Sequence, residues 1–262
     1  YNDVFYAPGV VIALGVIIGE FTEAGDGIII QPPVYYPFKR TIEASGRRVV
    51  ENPLINHEGR YSIDFSELEN KASEPGTKMM VLCSPHNPVG RVWTGEELKK
   101  LGSICSENGV LLVTDEIHMD ITRKNISFVP AAVAGNRMNT ITLTAPSKTF
   151  NIPGLSISAT IIENPEFKER WRNKAYRSLG LGMTNPFGAD AYIAAYEQGS
   201  EWLGQAMEYI DANFILLEEY LGKIIPGIKF SIPEGTYLAW LDMRQAGIAD
   251  DIEFSEKLER LE

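Results

Sequence analysis

The chain has 262 residues, 44% of them apolar, and a formal net charge of −11 with no cluster of Lys or Arg. That length can bury a large core in one domain or two, and the acidic balance speaks against nucleic acid or an anionic membrane as a partner. Two cysteines, Cys83 and Cys105, and three histidines in unrelated contexts form neither a disulfide framework nor a metal-ligand pattern. The cysteines fit a reduced, cytoplasmic setting, no apolar run reaches membrane-spanning length, and no signal peptide is visible.

In chain order, Ala7-Pro-Gly9 reads as a loop opening an apolar helix over 10–20. β-Branched and apolar runs predict strands over 27–31, 47–51, 79–84, 110–116, 141–144 and 157–162. Helical periodicity predicts helices over 65–72, 94–108, 165–178 and 186–198, the second with Thr94 and Glu97 as a capping box. A longer helix over 200–221 ends at Gly222, and two further strands are expected over 228–232 and 237–243. Alternating strands and helices argue for a doubly wound α/β layer structure. We expect a large domain over 1–222 and part of a smaller α+β domain over 223–262.

Three polar residues stand where such a sheet collects ligands, outside the carboxyl ends of its strands. Asn87 follows the strand over 79–84, Asp115 ends the run Val110-Leu-Leu-Val-Thr-Asp115, and Lys148 follows Asn139-Thr-Ile-Thr-Leu-Thr144. They are 28 (115 − 87) and 33 (148 − 115) residues apart, room for one strand–helix–strand crossover each. A lysine between two core strands is costly unless paired or exposed, and a crowded lysine gives up its proton, as an imine-forming amine must. An exposed loop lysine remains the alternative on these residues alone.

The order Gly9-Val-Val11, Pro32-Pro-Val-Tyr35, Cys83-Ser-Pro-His-Asn-Pro-Val-Gly-Arg91, Asp115-Glu-Ile-His118, Pro146-Ser-Lys-Thr-Phe-Asn151 and Pro233-Glu-Gly-Thr-Tyr237 resembles the fold-type I pyridoxal phosphate enzymes. These are the aminotransferase class I/II family, and the narrower likeness is to its MalY/PatB-type cystathionine β-lyases. The resemblance implies a three-layer α/β domain of the aspartate aminotransferase type with a mostly parallel sheet. It also implies a pyridoxal 5′-phosphate cofactor, a small amino-acid substrate and a homodimer.

Residue by residue, it implies that Lys148 bonds covalently to the cofactor and moves the substrate's Cα proton. Asp115 would face the pyridine nitrogen and keep it protonated. Asn87 would hydrogen-bond the ring's 3-hydroxyl, with His118 beside it. Ile117 would press on one ring face and Tyr35 stack on the other, with Tyr36 as the competing residue. Gly9, Val10 and Val11 would offer backbone N–H groups to the phosphate at a helix N-terminus. Relatives carry a serine three residues before the lysine and an arginine eight after it. Here those positions are Ala145 and Ser156, and Ser147 is the candidate replacement hydroxyl.

The implied reaction is β-elimination from cystathionine or a similar cysteine thioether, giving a thiol, pyruvate and ammonia within methionine biosynthesis. Transamination of amino acids is the alternative, because the two reactions share their motifs. A noncatalytic regulatory role is the third reading. The likeness also makes the chain look shortened at both ends, with the arginine that grips a substrate carboxylate lying downstream; Arg244 stands outside that motif and reads as solvated.

Overall fold

The computed structural model describes residues 2–224 and 227–246. Its main sheet has seven strands in the order β1-β9-β8-β7-β6-β2-β3. These are β1 (Val4–Ala7), β2 (Gly27–Ile30), β3 (Arg48–Glu51), β6 (Thr77–Cys83), β7 (Leu111–Asp115), β8 (Thr140–Thr144) and β9 (Ser158–Ile162), with β4 (Ile55–His57) and β5 (Arg60–Ser62) forming a separate hairpin. Strands β3, β2, β6, β7 and β8 run parallel, while β9 pairs antiparallel with both β8 and β1. The mostly parallel, three-layer α/β architecture is the one the motifs imply.

The helices are α1 (Val10–Phe21), α2 (Pro37–Ala44), α3 (Phe65–Ser73), α4 (Gly95–Glu107), α5 (Ala131–Ala134), α6 (Pro165–Trp171), α7 (Pro186–Gln198) and α8 (Ser200–Ile224), and α6 runs on into a π-helical segment over Arg172–Ser178. They cover both faces, so the central strands are apolar on both sides rather than alternating. One face packs Ile28, Ile30, Met79, Val81, Leu111 and Val113 beneath α1, α2 and α6. The other packs Ile29, Met80, Leu82 and Leu112 beneath α3, α4 and α5. Each such fully buried aliphatic side chain contributes about 2 kcal/mol of burial free energy.

This strand parity decides which face the polar ends serve. Cys83 and Asp115 share the parity of Val81 and Val113 and lie on the α1 side, in register with each other. Glu116 has the opposite parity, and its carboxylate accepts from the Ala131 N–H at the start of α5 (2.9 Å) and the Thr114 hydroxyl (3.1 Å). At α4, the Thr94 hydroxyl accepts from Glu97 N–H and the Glu97 carboxylate accepts from Thr94 N–H, so the capping box forms.

The described segment after α8 departs from the sequence reading. The expected strands over 228–232 and 237–243 are not strands; a single antiparallel bridge, Lys229–Asp242, joins them. The run Tyr-Leu-Ala-Trp-Leu is apolar enough for a strand, but Pro233–Leu238 turns into the main body instead. There Gly235 N–H donates to Gly90 O (2.9 Å) and Thr236 N–H to Ile121 O (2.7 Å). The long helix α8 passes Gly222 and runs to Ile224.

Candidate active site

The C-terminal ends of β6, β7 and β8 open on one rim. Because β1 runs in their direction, Ala7 and the start of α1 reach the same rim. A cavity of about 550 Å³ lies there, lined by Gly9 before α1 and Val10, Val11 and Ile12 within it, Tyr35 after β2, Cys83 at the end of β6 and Asn87 beyond it, Asp115 at the end of β7 with Ile117 and His118 beyond it, Lys148 after β8, and Tyr237 and Leu238. Nine residues singled out in the sequence (Gly9, Val10, Val11, Tyr35, Asn87, Asp115, Ile117, His118 and Lys148) thus line one cavity.

Ser147 is placed differently. It lines a neighbouring cavity of about 260 Å³ with Thr149, Asn151, Trp202 and Met207, which meets the first only at Lys148 and Tyr237. Neighbouring residues in the turn after β8 point apart, which spacing alone does not reveal. Of the tyrosine pair, Tyr35 lines the cavity while Tyr36 is 71% exposed and does not. Cys83, Ile12, Tyr237 and Leu238 also line it, with no role assigned from sequence; Tyr237 and Cys83 stood inside recognised motifs, whereas Ile12 and Leu238 carried no polar signal.

Asp115 is 4% exposed, and one carboxylate oxygen accepts the Ile117 N–H at 3.1 Å. Among the described residues it forms no ion pair. Burial pushes its pKa up to about 7, against the pull of the Ile117 N–H and the Lys148 charge. A carboxylate in this state calls for a cationic or N–H partner. His118, also buried, is held neutral by desolvation and by the Lys148 charge, its pKa lowered to about 4; its Nδ1 has no hydrogen-bond partner. The Tyr237 ring meets the His118 ring edge-on, centroids 5.6 Å apart.

The walls are tied together by backbone and side chain. Tyr35 N–H donates to Asn87 O (3.0 Å), and the buried His86 bonds Pro33 O through Nε2 (2.9 Å), so the two loops that carry Tyr35 and Asn87 are tied to each other. Asn87 N–H points at Cys83 Sγ (3.3 Å). At α1 the Gly9 backbone (φ 139°) turns directly into the helix without a side-chain cap, leaving the first N–H groups open toward the cavity. The Pro233–Leu238 wall is gripped chiefly by two arginines, while the exposed Arg60 reaches Glu234 at 3.6 Å. Arg91 pairs with Glu234 (2.5 Å) and Glu97 (2.9 Å), and Arg123 donates to Thr236 O (2.9 Å) while pairing with Asp211 of α8 (2.9 Å).

Together these features suit a flat ligand with three handles. A protonated ring nitrogen would satisfy Asp115, an amine-reactive carbonyl would meet Lys148, and an anionic group would sit at the open N-terminus of α1. Ile117 and Tyr35 supply apolar and aromatic walls.

The chain belongs to the aminotransferase class I and II family, whose model matches residues 1–260. It is 42% identical over 251 residues to the cystathionine β-lyase PatB of Bacillus subtilis, covering 95% of this chain and 65% of that protein. It is 34% identical over 250 residues to the protein MalY of Escherichia coli, covering 95% of this chain and 64% of the relative. Among solved structures, cystalysin from Treponema denticola, which contains a pyridoxal 5′-phosphate cofactor, superposes with a TM-score of 0.93 at 37% identity, over 97% of this chain and 64% of that one. The pyridoxal phosphate-bound C–S lyase of Staphylococcus hominis gives 0.90 at 38% identity, over 96% and 64%. The chain therefore spans slightly under two thirds of the length of these relatives.

Among the described residues, no helix is long and apolar enough to cross a membrane, and no group of three or more His, Cys, Asp or Glu is placed to hold a metal.

Proposed function

We propose that the cavity at the strand ends binds pyridoxal 5′-phosphate and that the protein is a carbon–sulfur β-lyase acting on cystathionine or a related cysteine thioether. The observation that carries the reading is Asp115: a buried carboxylate without an ion-pair partner among the described residues, lining the same cavity as Lys148. The 42% identity to a cystathionine β-lyase supports the choice of reaction.

When bound, the cofactor supplies an electron sink for the charge left on Cα after its proton departs. The protein's own part is as follows. Asp115 holds a proton on the ring nitrogen, and the resulting ion pair removes the cost of its burial. Lys148 would hold the cofactor through its carbonyl, and its free amine would be the group that receives the Cα proton. The net reaction would be β-elimination: the Cα proton goes to the Lys148 amine, the Cβ–S electron pair leaves with sulfur as thiolate, and water hydrolyses the remaining fragment to pyruvate and ammonia. His118, uncharged, offers a ring nitrogen near the 3-hydroxyl together with Asn87. Val10, Val11 and Gly9 present N–H groups to the phosphate. Tyr35 and Ile117 flank the ring and exclude water from its faces.

The wider setting follows the same reading: a cytoplasmic homodimer of methionine biosynthesis, with a large domain over 1–222 and a smaller one from 223 on. The two free, buried cysteines fit a reduced compartment. Transamination uses the same first proton transfer, and the likeness to both reaction types in one family keeps it as the second reading. The test is pyruvate release from cystathionine with pyridoxal phosphate present, with and without an added keto acid. Pyruvate release without keto acid is expected; consumption of cystathionine only when a keto acid is added, with no pyruvate formed from it, overturns the lyase assignment in favour of transamination.

A further inference from the structure

Lys148 lies in an irregular turn between β8 and β9, where no ladder hydrogen bonds fix its direction. Two backbone bonds shape the turn, Phe150 N–H to Pro146 O (2.9 Å) and Ile152 N–H to Ser147 O (3.1 Å), and Asn151 takes a left-handed conformation (φ 54°). Within 147–151 only Thr149 is buried, at 4% exposure. A buried hydroxyl needs a partner, and its partner comes from another loop: Thr149 Oγ1 donates to Asp120 Oδ2 at 2.9 Å. The same oxygen accepts the Tyr196 hydroxyl of α7, also at 2.9 Å. Asp120 belongs to the turn that carries Asp115, Ile117 and His118, itself fixed by Met119 N–H to Glu116 O and Ile121 N–H to His118 O. On the far side the Phe150 ring meets the Tyr196 ring edge-on at 5.3 Å.

We propose that Asp120 is a positioning residue for Lys148: one carboxylate oxygen joins the turn bearing the lysine, the turn bearing Asp115, and helix α7, and so sets where the lysine amine stands in the cavity. Asp120 does not line that cavity. It acts through Thr149, the residue beside the lysine. Two hydroxyl donors on one oxygen need an acceptor, not a charge, so an amide oxygen at this position serves equally. The role assumes that the cavity takes pyridoxal phosphate on Lys148, as proposed above, but the fixing of the turn is measurable without it.

The test uses the 262-residue chain and its variants Asp120→Ala, Asp120→Asn, Thr149→Val and Tyr196→Phe. Hydrogen exchange of the cofactor-free protein reads the turn directly. Asp120→Ala and Thr149→Val should speed exchange in peptides covering 145–152 while β8 and β9 keep their protection, and Asp120→Asn should restore the parent rate. Titration with pyridoxal phosphate, followed at the visible band that Lys148→Ala abolishes, should show the apparent Kd rising about fivefold for each hydrogen bond lost, with Asp120→Asn near the parent value. Unchanged exchange at 145–152 in Asp120→Ala overturns the proposal. So does a Kd loss in Asp120→Ala that Asp120→Asn shares in full. If the parent shows no lysine-dependent band, the cofactor reading fails, and the exchange result alone decides whether Asp120 fixes the turn.

Discussion

Two walls of the cavity are built on different physics. The strand-end wall, with Cys83, Asp115, Ile117 and His118, rests on a parallel ladder with apolar layers on both faces. The opposite wall, Pro233–Leu238, belongs to no strand and is held by glycine contacts and two arginines. Burial of apolar surface is spread over many side chains, so the first wall tolerates loss of any one polar contact. The second concentrates its hold in a few charge-assisted hydrogen bonds, which are individually strong and costly to break.

That contrast can be broken most sharply at Arg91. Arg91→Ala leaves Glu97 without its cation and Glu234 with only the longer pair to the exposed Arg60 (3.6 Å), which should cost about 3 kcal/mol; chemical denaturation of the cofactor-free protein measures it, and a loss below about 1 kcal/mol would mean that the wall is held otherwise. Gly90→Ala comes next. Gly90 has φ 72°, and a Cβ there would overlap the Pro233 ring, while a Cβ on Gly235 would come within 2.9 Å of Pro85 and Val92. Strain and overpacking together should cost about 2 kcal/mol. Tyr237 should lose its edge contact with His118, seen as a change in tyrosine fluorescence; an unchanged spectrum and midpoint would deny the close crossing.

The strand-end wall is tested through pH. Asp115 and Glu116 release protons near pH 4 when unfolded but hold them to about pH 7 in the fold. Between those values the fold binds more protons than the unfolded chain, so both carboxyls erode stability as pH rises. His86 and His118 act in reverse: their pKa falls from 6.5 to about 4 on burial, so stability grows across that window. Each group contributes a slope of about 1.4 kcal/mol per pH unit, and the two pairs oppose one another. The four slopes nearly cancel in the parent, so Asp115→Asn should uncover a net rise in cofactor-free stability between pH 4.5 and 6.5 and leave the protein more stable than the parent at pH 7.5. A pH profile parallel to the parent would show that Asp115 is not desolvated. The smallest effect is expected at Ser147, which lines the neighbouring cavity: Ser147→Ala should change the Kd for pyridoxal phosphate by less than about twofold, roughly the weight of less than one net hydrogen bond.

Most of the fold was legible because buried parallel strands read as continuous apolar runs, as in Met79-Met-Val-Leu82 and Leu111-Leu-Val113. Strand β1 was missed because four residues are too few to show a period, and the three-residue strands β4 and β5 are largely exposed. Helix α2 was hidden behind the Tyr35-Tyr-Pro37 turn. The expected strands after Gly222 failed because an apolar run becomes a strand only where an edge is free to pair, and here the chain enters the main body at Gly235. At the site, alternation says only that one of Tyr35 and Tyr36 turns inward; the family resemblance names Tyr35, and Tyr35 and Ile117 line the cavity with Asp115. Alternation has no purchase on turns, so the sequence does not show that Ser147 lines the neighbouring cavity or that Asp120, two residues past His118, reaches the lysine's turn. Asp120 lies just beyond the Asp115–His118 motif, and what marks it is the burial of its partner Thr149.

The central claim is that pyridoxal phosphate bonds to Lys148 in this cavity. Incubation of the chain with pyridoxal phosphate, reduction with borohydride and peptide mapping by mass spectrometry test it most directly. One phosphopyridoxyl group on the peptide containing Lys148, absent from Lys148→Ala, is the expected result. Labelling spread over surface lysines such as Lys39 or Lys99, unaffected by that substitution, would contradict it.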